Sequence, residues 1–297
     1  MRRKTIKSLT PILKWAGGKS SLAPDIYKYL NTVKNINRYI EPFFGGGALY
    51  FYIAENNKAL LKNSIINDIN KDLIELYKNI KKSPDKIIKE HQKFIKHFES
   101  KEYAEGYYSI REKFNGINQE NKKIKKYTGL QRGVALMLLN KTCFNGLYRV
   151  NSQGLFNVPK GSYKNPSYVK SDLINAVSKV LPKISDIKSI PYSKIEYKKS
   201  DLVYFDPPYD PINETSSFTS YSGKFGKDEQ RELCDKFNEL DKMGANVILS
   251  NNNTDFIKDL YKEHNLETVE CSRSINSKKD KRGKIQELII VGKNFGK

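Results

Sequence analysis

The chain has 297 residues, enough to bury a sizeable core as one large domain or as one domain carrying an insertion. Lys and Arg outnumber Asp and Glu by 53 to 33, and the formal charge of +20 points to a polyanionic partner, nucleic acid ahead of an anionic membrane surface. Only nine of those basic residues are Arg, so part of the excess is the lysine inflation that accompanies an A+T-rich genome, and charge alone does not decide the partner. Cys143, Cys234 and Cys271 form no C-x-x-C pair, which argues against a disulfide framework and a zinc site. The N-terminal ten residues lack a signal-peptide apolar stretch, and the longest apolar run, 134–139, is too short to span a bilayer. A cytoplasmic protein with no membrane partner and no metal is expected.

The first motif is LKWAGGKS at 13–20. It has the look of a phosphate-binding loop, but such a loop needs glycine five residues before Gly18 and Leu13 stands there, so an NTPase is a weak reading. A lysine on a glycine turn, Lys19, can still bind a carboxylate. Next, Tyr39-Ile40-Glu41 reads as a strand ending at Pro42, 43–47 as a glycine loop, 48–56 as a helix and 64–67 as a second strand. Strand, glycine loop, helix, strand opens an α/β sheet, and glycines in that loop let a cofactor approach the backbone closely. The second strand runs into Asn67-Asp68, and an acid at that place commonly holds ribose hydroxyls. The segment from Asp68 to Asp72 also imitates the start of a calcium loop, but the glycine required at its sixth position is Leu73.

From about 81 to 166 the texture changes to long polar helices. Ile87, Phe94, Ile95 and Phe98 share one helical face, and a further helix covers 130–140. Then Leu147 to Val150, the turn Asn151-Ser152-Gln153-Gly154 and Leu155 to Val158 read as a β-hairpin. Arg149 on a two-stranded ribbon suits the major groove, whereas aromatics such as Phe144, Tyr148 and Phe156 commonly just pack beneath a hairpin. The α/β texture resumes with strands at 202–205 and 245–249 around a helix at 227–243. It ends with paired strands at 266–271 and 286–291, joined by the basic segment 278–284.

Directly after the strand 202–205 stands Asp206-Pro207-Pro208-Tyr209. Ligands gather beyond the carboxyl ends of parallel strands, and two prolines hold the loop stiff. A carboxylate and a backbone carbonyl side by side suit the exocyclic amino group of adenine. Its lone pair is delocalised into the ring, and two acceptors for its N–H groups would turn the nitrogen towards a nucleophile. Tyr209 offers an aromatic face for the base. The plain alternative is a proline turn after a strand.

Taken together and in this order, these stretches resemble the Dam-type DNA adenine methyltransferases, the D12 class of N6-adenine enzymes. The resemblance runs through LKWAGGKS at 13–20, EPFFGGGALYF at 41–51, NDINKDLIELY at 67–77 and NKTCFNGLYRVNSQGLFNVPKGSYKNP at 140–166. It continues through DPPY at 206–209, FTSYSGKFGKDEQREL at 218–233, LSNNNTDF at 249–256, RSINS at 273–277 and ELIIVGK at 287–293. It implies an open, doubly wound α/β sheet that binds S-adenosyl-L-methionine (AdoMet), formed by 1–80 and 167–297. A mostly helical insertion carrying a hairpin, 81–166, would recognise the target. It implies AdoMet-dependent transfer to N6 of a flipped-out adenine in double-stranded DNA. Asp206, Pro207, Pro208 and Tyr209 would form the catalytic loop, and Trp15, Lys19, Glu41, Phe43, Phe44, Gly45, Gly47, Asp68 and Asp206 would hold the cofactor. Lys14, Leu147, Arg149 and Pro159 match the GATC-reading positions, with Asn145 beside them, and Phe144 completes the implied DNA-binding set. Phe144 departs from the tyrosine common at the position that wedges into the duplex, and keeps its stacking surface. N4-cytosine enzymes typically begin this loop with Ser and glutamine modifiers with Asn, so Asp206 favours adenine. A monomer is expected, and genetic pairing with a restriction endonuclease is left open. The rival from another class is a DNA-binding module of the same fold without catalysis.

Overall fold

The computed structural model describes residues 9–15, 17–212, 225–272 and 284–297. The tract 218–224, the RSINS stretch and the basic segment up to 283 lie outside the described residues. The fold is mixed α/β, and its first two helices are α1 (Ala23–Leu30) and α2 (Ala48–Asn56). By their contacts the described residues fall into two compact units, one drawn from Met1–Gly18, Gly45–Phe51 and Asn70–Ser189, the other from Lys19–Phe44, Tyr52–Ile69 and Ile190–Lys297.

The second unit is a sheet. Its strands are β1 (Tyr39–Glu41), β2 (Ile65–Asn67), β4 (Leu202–Phe205), β5 (Asn246–Asn252), β6 (Asn265–Ser272) and β7 (Lys284–Val291), while the two-residue β3 (Ile187–Lys188) falls in the first unit. The order is β2-β1-β4-β5-β7-β6. Four strands are parallel, with Ile40 opposite both Ile65 and Val203, and Phe205 opposite Leu249. β7 then lies antiparallel to β5, and β6 to β7. Parallel strands need cover on both faces, which is why β1, β2, β4 and β5 are buried at every position. Leu233, Phe237 and Leu240 of α8 (Lys227–Met243), with Ile257 of α9 (Asp255–Leu260), pack on Val203, Phe205, Val247, Leu249, Leu288 and Ile290. At the amino end of the sheet Arg38 clamps the fully buried Asp201, its Nε 3.0 Å from Oδ1. Chain order reverses between β1 and β4, so the carboxyl ends of those strands frame the crevice where such sheets take ligands.

The first unit is helical, with α3 (Lys71–Lys82), α4 (Pro84–Glu99), α5 (Tyr103–Asn115), α6 (Gly129–Thr142) and α7 (Ser171–Val180). α6 is the central one: 134–139 is buried without interruption, so its residues show no polar stripe. α3 comes close at Gly133, where a Cβ would sit 3.3 Å from Leu76. Arg132 beside it is held by both carboxylate oxygens of Asp72 and lies 3.9 Å above the Phe114 ring. On α4, Ile87, Phe94 and Phe98 face the core as the periodicity predicts, while Ile95 is half-buried. His91 joins that face, and burial with the Lys141 charge pushes its ring down to about 4, so it is neutral at pH 7.

The predicted hairpin is present but short: the turn 151–154 is closed by one antiparallel bridge, Val150 to Phe156. Two backbone bonds flank that bridge, from the Asn157 N–H to the Arg149 carbonyl at 3.0 Å and from the Asn151 N–H to the Leu155 carbonyl at 2.9 Å, and side chains take other groups of the turn and its arms. Asn151 Oδ1 accepts from the N–H of Gln153 and of Leu155, and Asn115 of α5 takes the Phe156 N–H and donates to its carbonyl. Tyr107 and Arg111 of α5 donate to the Val158 carbonyl. α5 thus binds the outward-facing groups of the returning arm and adds to the backbone pair.

Candidate active site

Three acids stand at the carboxyl ends of three adjacent parallel strands: Glu41 closes β1, Asp68 follows β2 and Asp206 follows β4. Parallel pairing alone puts them on one edge. Glu41 and Asp68 are buried, and the Asp206 side chain keeps about a fifth of its surface exposed. Glu41 is pushed well above the usual carboxylate range by burial and by the charges of Asp206 and Asp68, although the Tyr39 hydroxyl donates to it at 3.0 Å.

Asp206 is the better solvated of these and the more elaborately held. Burial raises it to about 6, against the pull of Lys19, whose Nζ lies 3.3 Å from Oδ1, and of Ser250, whose Oγ donates to the same oxygen at 3.2 Å. Ser250 is in turn 2.7 Å from the Tyr204 hydroxyl. The Lys19 ammonium also sits 3.8 Å from the centre of the Tyr209 ring, a cation against an aromatic face. Tyr209 donates to Glu287 of β7 at 3.3 Å. Lys19 is therefore the cation of a buried acidic site rather than of a phosphate loop. On the β1 side Phe43 packs among Tyr192, Phe205 and Phe225, and Phe44 is buried with its N–H on the Asn67 carbonyl.

Among the described residues nothing donates a hydrogen bond to the Pro207 carbonyl, although the neighbouring Pro208 and Asp210 carbonyls are both engaged, by Gln230 and Asn252. A stiff loop thus offers one carboxylate and one uncommitted carbonyl next to each other.

The first unit holds the remaining expected residues. Gly45, at φ +50°, lies so near Trp15 that a Cβ would come within 2.9 Å of the indole, and Gly47 also takes a positive φ. Trp15 stacks on Tyr148 with ring centres 5.3 Å apart. Lys14 is joined to the loop 143–147 by Asn140, a buried side chain that accepts from the Lys14 N–H and donates to the Lys14 and Gly146 carbonyls, each at 2.8 Å. In that loop Phe144 is exposed over nearly half of its surface, and Asn145 has φ +53°. Pro159 is exposed, and its carbonyl takes the Phe144 N–H at 2.9 Å. Leu147 and Arg149 are half-buried, Arg149 Nε donating to Asn157 Oδ1 at 2.8 Å. Tyr148 and Phe156 pack inward against Asp72 and Phe114, as aromatics on a hairpin usually do.

Several partners escape sequence reasoning. Asn67 reaches from β2 to hold the Pro42 and Ile190 carbonyls, and Asn140, Gln230, Asn251 and Glu287 act at comparable sequence distances. Polar residues in polar-looking stretches give no signal of burial. The only available hint was their place inside the motif stretches.

The family model for the D12 class N6 adenine-specific DNA methyltransferases matches residues 15–275. The type II methyltransferase M.MjaIII of Methanocaldococcus jannaschii is 42% identical over 95% of this chain and 98% of its own length. The type II methyltransferase M1.LlaDCHI of Lactococcus lactis subsp. cremoris is 40% identical, over 97% and 96%. The DNA adenine methylase of Vibrio cholerae serotype O1 is 32% identical, over 96% and 97%.

Proposed function

The chain belongs to the D12 class of N6-adenine-specific DNA methyltransferases, and from that premise we propose that it methylates adenine within GATC, on a base turned out of duplex DNA beside Asp206. The observation that carries the reading is the pair of adjacent acceptors, the Asp206 carboxylate and the uncommitted Pro207 carbonyl, on a loop fixed by its prolines.

The family is AdoMet-dependent, and the donor set fits that cofactor. On the acidic edge of Glu41, Asp68 and Asp206 the Lys19 ammonium pairs with Asp206, and Glu41, raised by burial and by the charges of the other two acids, would gain from a positive sulfonium nearby. Asp68 would take the ribose, Lys19 the carboxylate, and Glu41, Phe43, Phe44 and Asp206 the rest of that edge. Trp15, Gly45 and Gly47 complete the proposed set, on the strength of the glycine loop and the indole it crowds. When bound, AdoMet supplies an electrophilic methyl group. The residues of the chain do the rest: Asp206 and Pro207 accept the two N–H groups of the amine, which frees its lone pair, and Tyr209 stacks on the ring. The amine must lose a proton on methylation, and Asp206 as a carboxylate is placed to take it. An inactive module of the same fold would have no use for this arrangement.

A pH dependence follows. Transfer needs Asp206 ionised, so with its carboxyl raised to about 6, activity falls as pH drops through that value. Lys19 holds the value down. Lys19→Met therefore shifts the acidic limb of the single-turnover rate, measured at saturating cofactor, to higher pH. A limb that stays put would show that Lys19 does not govern this carboxylate.

For recognition, Lys14, Asn145, Leu147, Arg149 and Pro159 read the site, the exposed Phe144 wedges into the stack, and lysines of 81–166 and 278–284 contact phosphates. Arg149→Ala is expected to weaken binding to a GATC duplex by roughly 10- to 100-fold. It should weaken binding to an unrelated duplex much less, as read by fluorescence anisotropy at fixed salt. Modification mapping in a methylation-deficient host expressing the chain tests the whole reading. Methylated adenine at another site would overturn GATC alone; no methylated adenine would overturn the chemistry. The protein is proposed to act as a cytoplasmic monomer, either paired genetically with a restriction endonuclease or alone, which gene neighbourhood decides; among the described residues no helix is long and apolar enough to cross a membrane.

A further inference from the structure

Gln230, on the first turn of α8, is a polar side chain that is almost wholly buried. Both ends of its amide are engaged. Nε2 donates to the Pro208 carbonyl at 2.8 Å, and Oε1 accepts from Asn251 Nδ2 at 3.1 Å. Asn251 Oδ1 accepts the Asp210 N–H at 3.0 Å, Asn252 Nδ2 donates to the Asp210 carbonyl at 2.6 Å, and Thr254 donates to the Asp210 carboxylate at 2.7 Å. The loop is thus gripped from behind at Pro208 and Asp210, while Ser250 and Lys19 hold Asp206.

The loop geometry turns this grip into a direction. Proline fixes φ, so between the Pro207–Pro208 peptide and the Pro208–Tyr209 peptide only ψ of Pro208 is free to rotate. A hydrogen bond on the Pro208 carbonyl fixes that angle. Through the rigid ring it also fixes where the Pro207 carbonyl, one peptide earlier, points. We propose that Gln230, oriented by Asn251, is a positioning residue that aims the Pro207 carbonyl at the substrate amine and so sets the rate of methyl transfer. This rests on the role given above to Pro207. A buried amide that merely satisfied the core would show its loss in stability and in every binding step alike.

Two variants separate these roles. Gln230→Met keeps the volume and removes both hydrogen bonds. Its single-turnover transfer rate is expected to fall by roughly 10- to 100-fold, the loss typical of a misaimed acceptor. Its affinities for AdoMet and for duplex DNA, measured by calorimetry and anisotropy, should stay within about threefold. Gln230→Glu keeps the shape and donates to Pro208 only while its carboxyl is protonated. Its rate should therefore fall as pH rises above that group's pKa, a basic limb absent from the wild type. A Met variant with wild-type rate, or a Glu variant without the basic limb, overturns the proposal. So does a parallel loss of rate and both affinities, which would mark Gln230 as a folding residue. If Gln230→Met does not fold, the pH profile of Gln230→Glu decides alone. Asp206→Ala is run alongside: its activity, if kept, overturns the underlying reading, whereas wild-type rate in Gln230→Met with an inactive Asp206→Ala overturns this inference only.

Discussion

Asp206→Asn is expected to abolish methyl transfer and, in the same protein, to raise stability. The loss of rate follows from the role of the carboxylate: Asn keeps an acceptor oxygen but neither its charge nor its capacity to take a proton, and a fall of at least ~1,000-fold is the scale for such groups. The gain in stability follows from linkage. Asp206 is raised in the folded chain from an ordinary 3.8 to about 6, so the folded state binds this proton more tightly than the unfolded one. Stability contributed by the protonated form is therefore present below about 4, declines as pH rises to about 6, and stays lost at pH 7. That value already includes the attraction of Lys19, so the comparison with a neutral side chain is net of the ion pair. Asn removes a penalty on the order of 2–3 kcal/mol at neutral pH. Thermal unfolding of both proteins from pH 4 to pH 8 checks it: the difference should open as pH rises. A variant no more stable than the parent at pH 7 would show that Asp206 is not held ionised against its surroundings. An active variant would remove it from the chemistry.

The second large effect lies in the helical unit. Asp72→Ala is expected to destabilise it by about 2–4 kcal/mol, because Arg132 then loses both carboxylate partners while about four-fifths of its side chain stays covered. Tyr148 loses a hydroxyl partner at 3.4 Å as well, and it is the ring on which Trp15 stacks. Urea unfolding reads the loss. In an Asp72→Leu, Arg132→Met double variant much of the stability should return, since the uncompensated charge has gone. DNA affinity of Asp72→Ala, measured where the protein is still folded, should fall as well, since Tyr148 precedes Arg149. A loss below about 1 kcal/mol would place the pair among solvent-screened surface bridges.

Much of this was legible because the signals are local. The strand at 202–205, the helices at 48–56 and 227–243 and the strand at 39–41 coincide with their predicted bounds, since an unbroken apolar run or a 3.6-residue period needs no knowledge of distant residues. The acids at the strand ends were legible for the same reason: strand and loop are adjacent in sequence. What the local pattern did not carry was the backing of the hairpin. Residues 147–158 pair around Val150 and Phe156 as predicted, but the outward-facing groups of Phe156 and Val158 bond to Asn115 and Tyr107, and nothing in 147–158 reports on α5. Gln230 and Glu287 were illegible in the same way. Each looks like a surface residue of an amphipathic element, and each is bound to the DPPY loop through contacts 22 and 78 residues away.

Asn140 has a consequence for any attempt to give this scaffold a new target site. Its one amide occupies the N–H and C=O of Lys14 and the C=O of Gly146, so two segments 126 residues apart are built as a single exchangeable part. A loop transplanted from a relative without 13–15, or into a host lacking an amide at position 140, would strand backbone groups that water cannot easily reach. Transplants should therefore move 13–15 and 140–160 together. By the same logic, new specificities would arise by joint replacement of both segments more readily than by drift in either one.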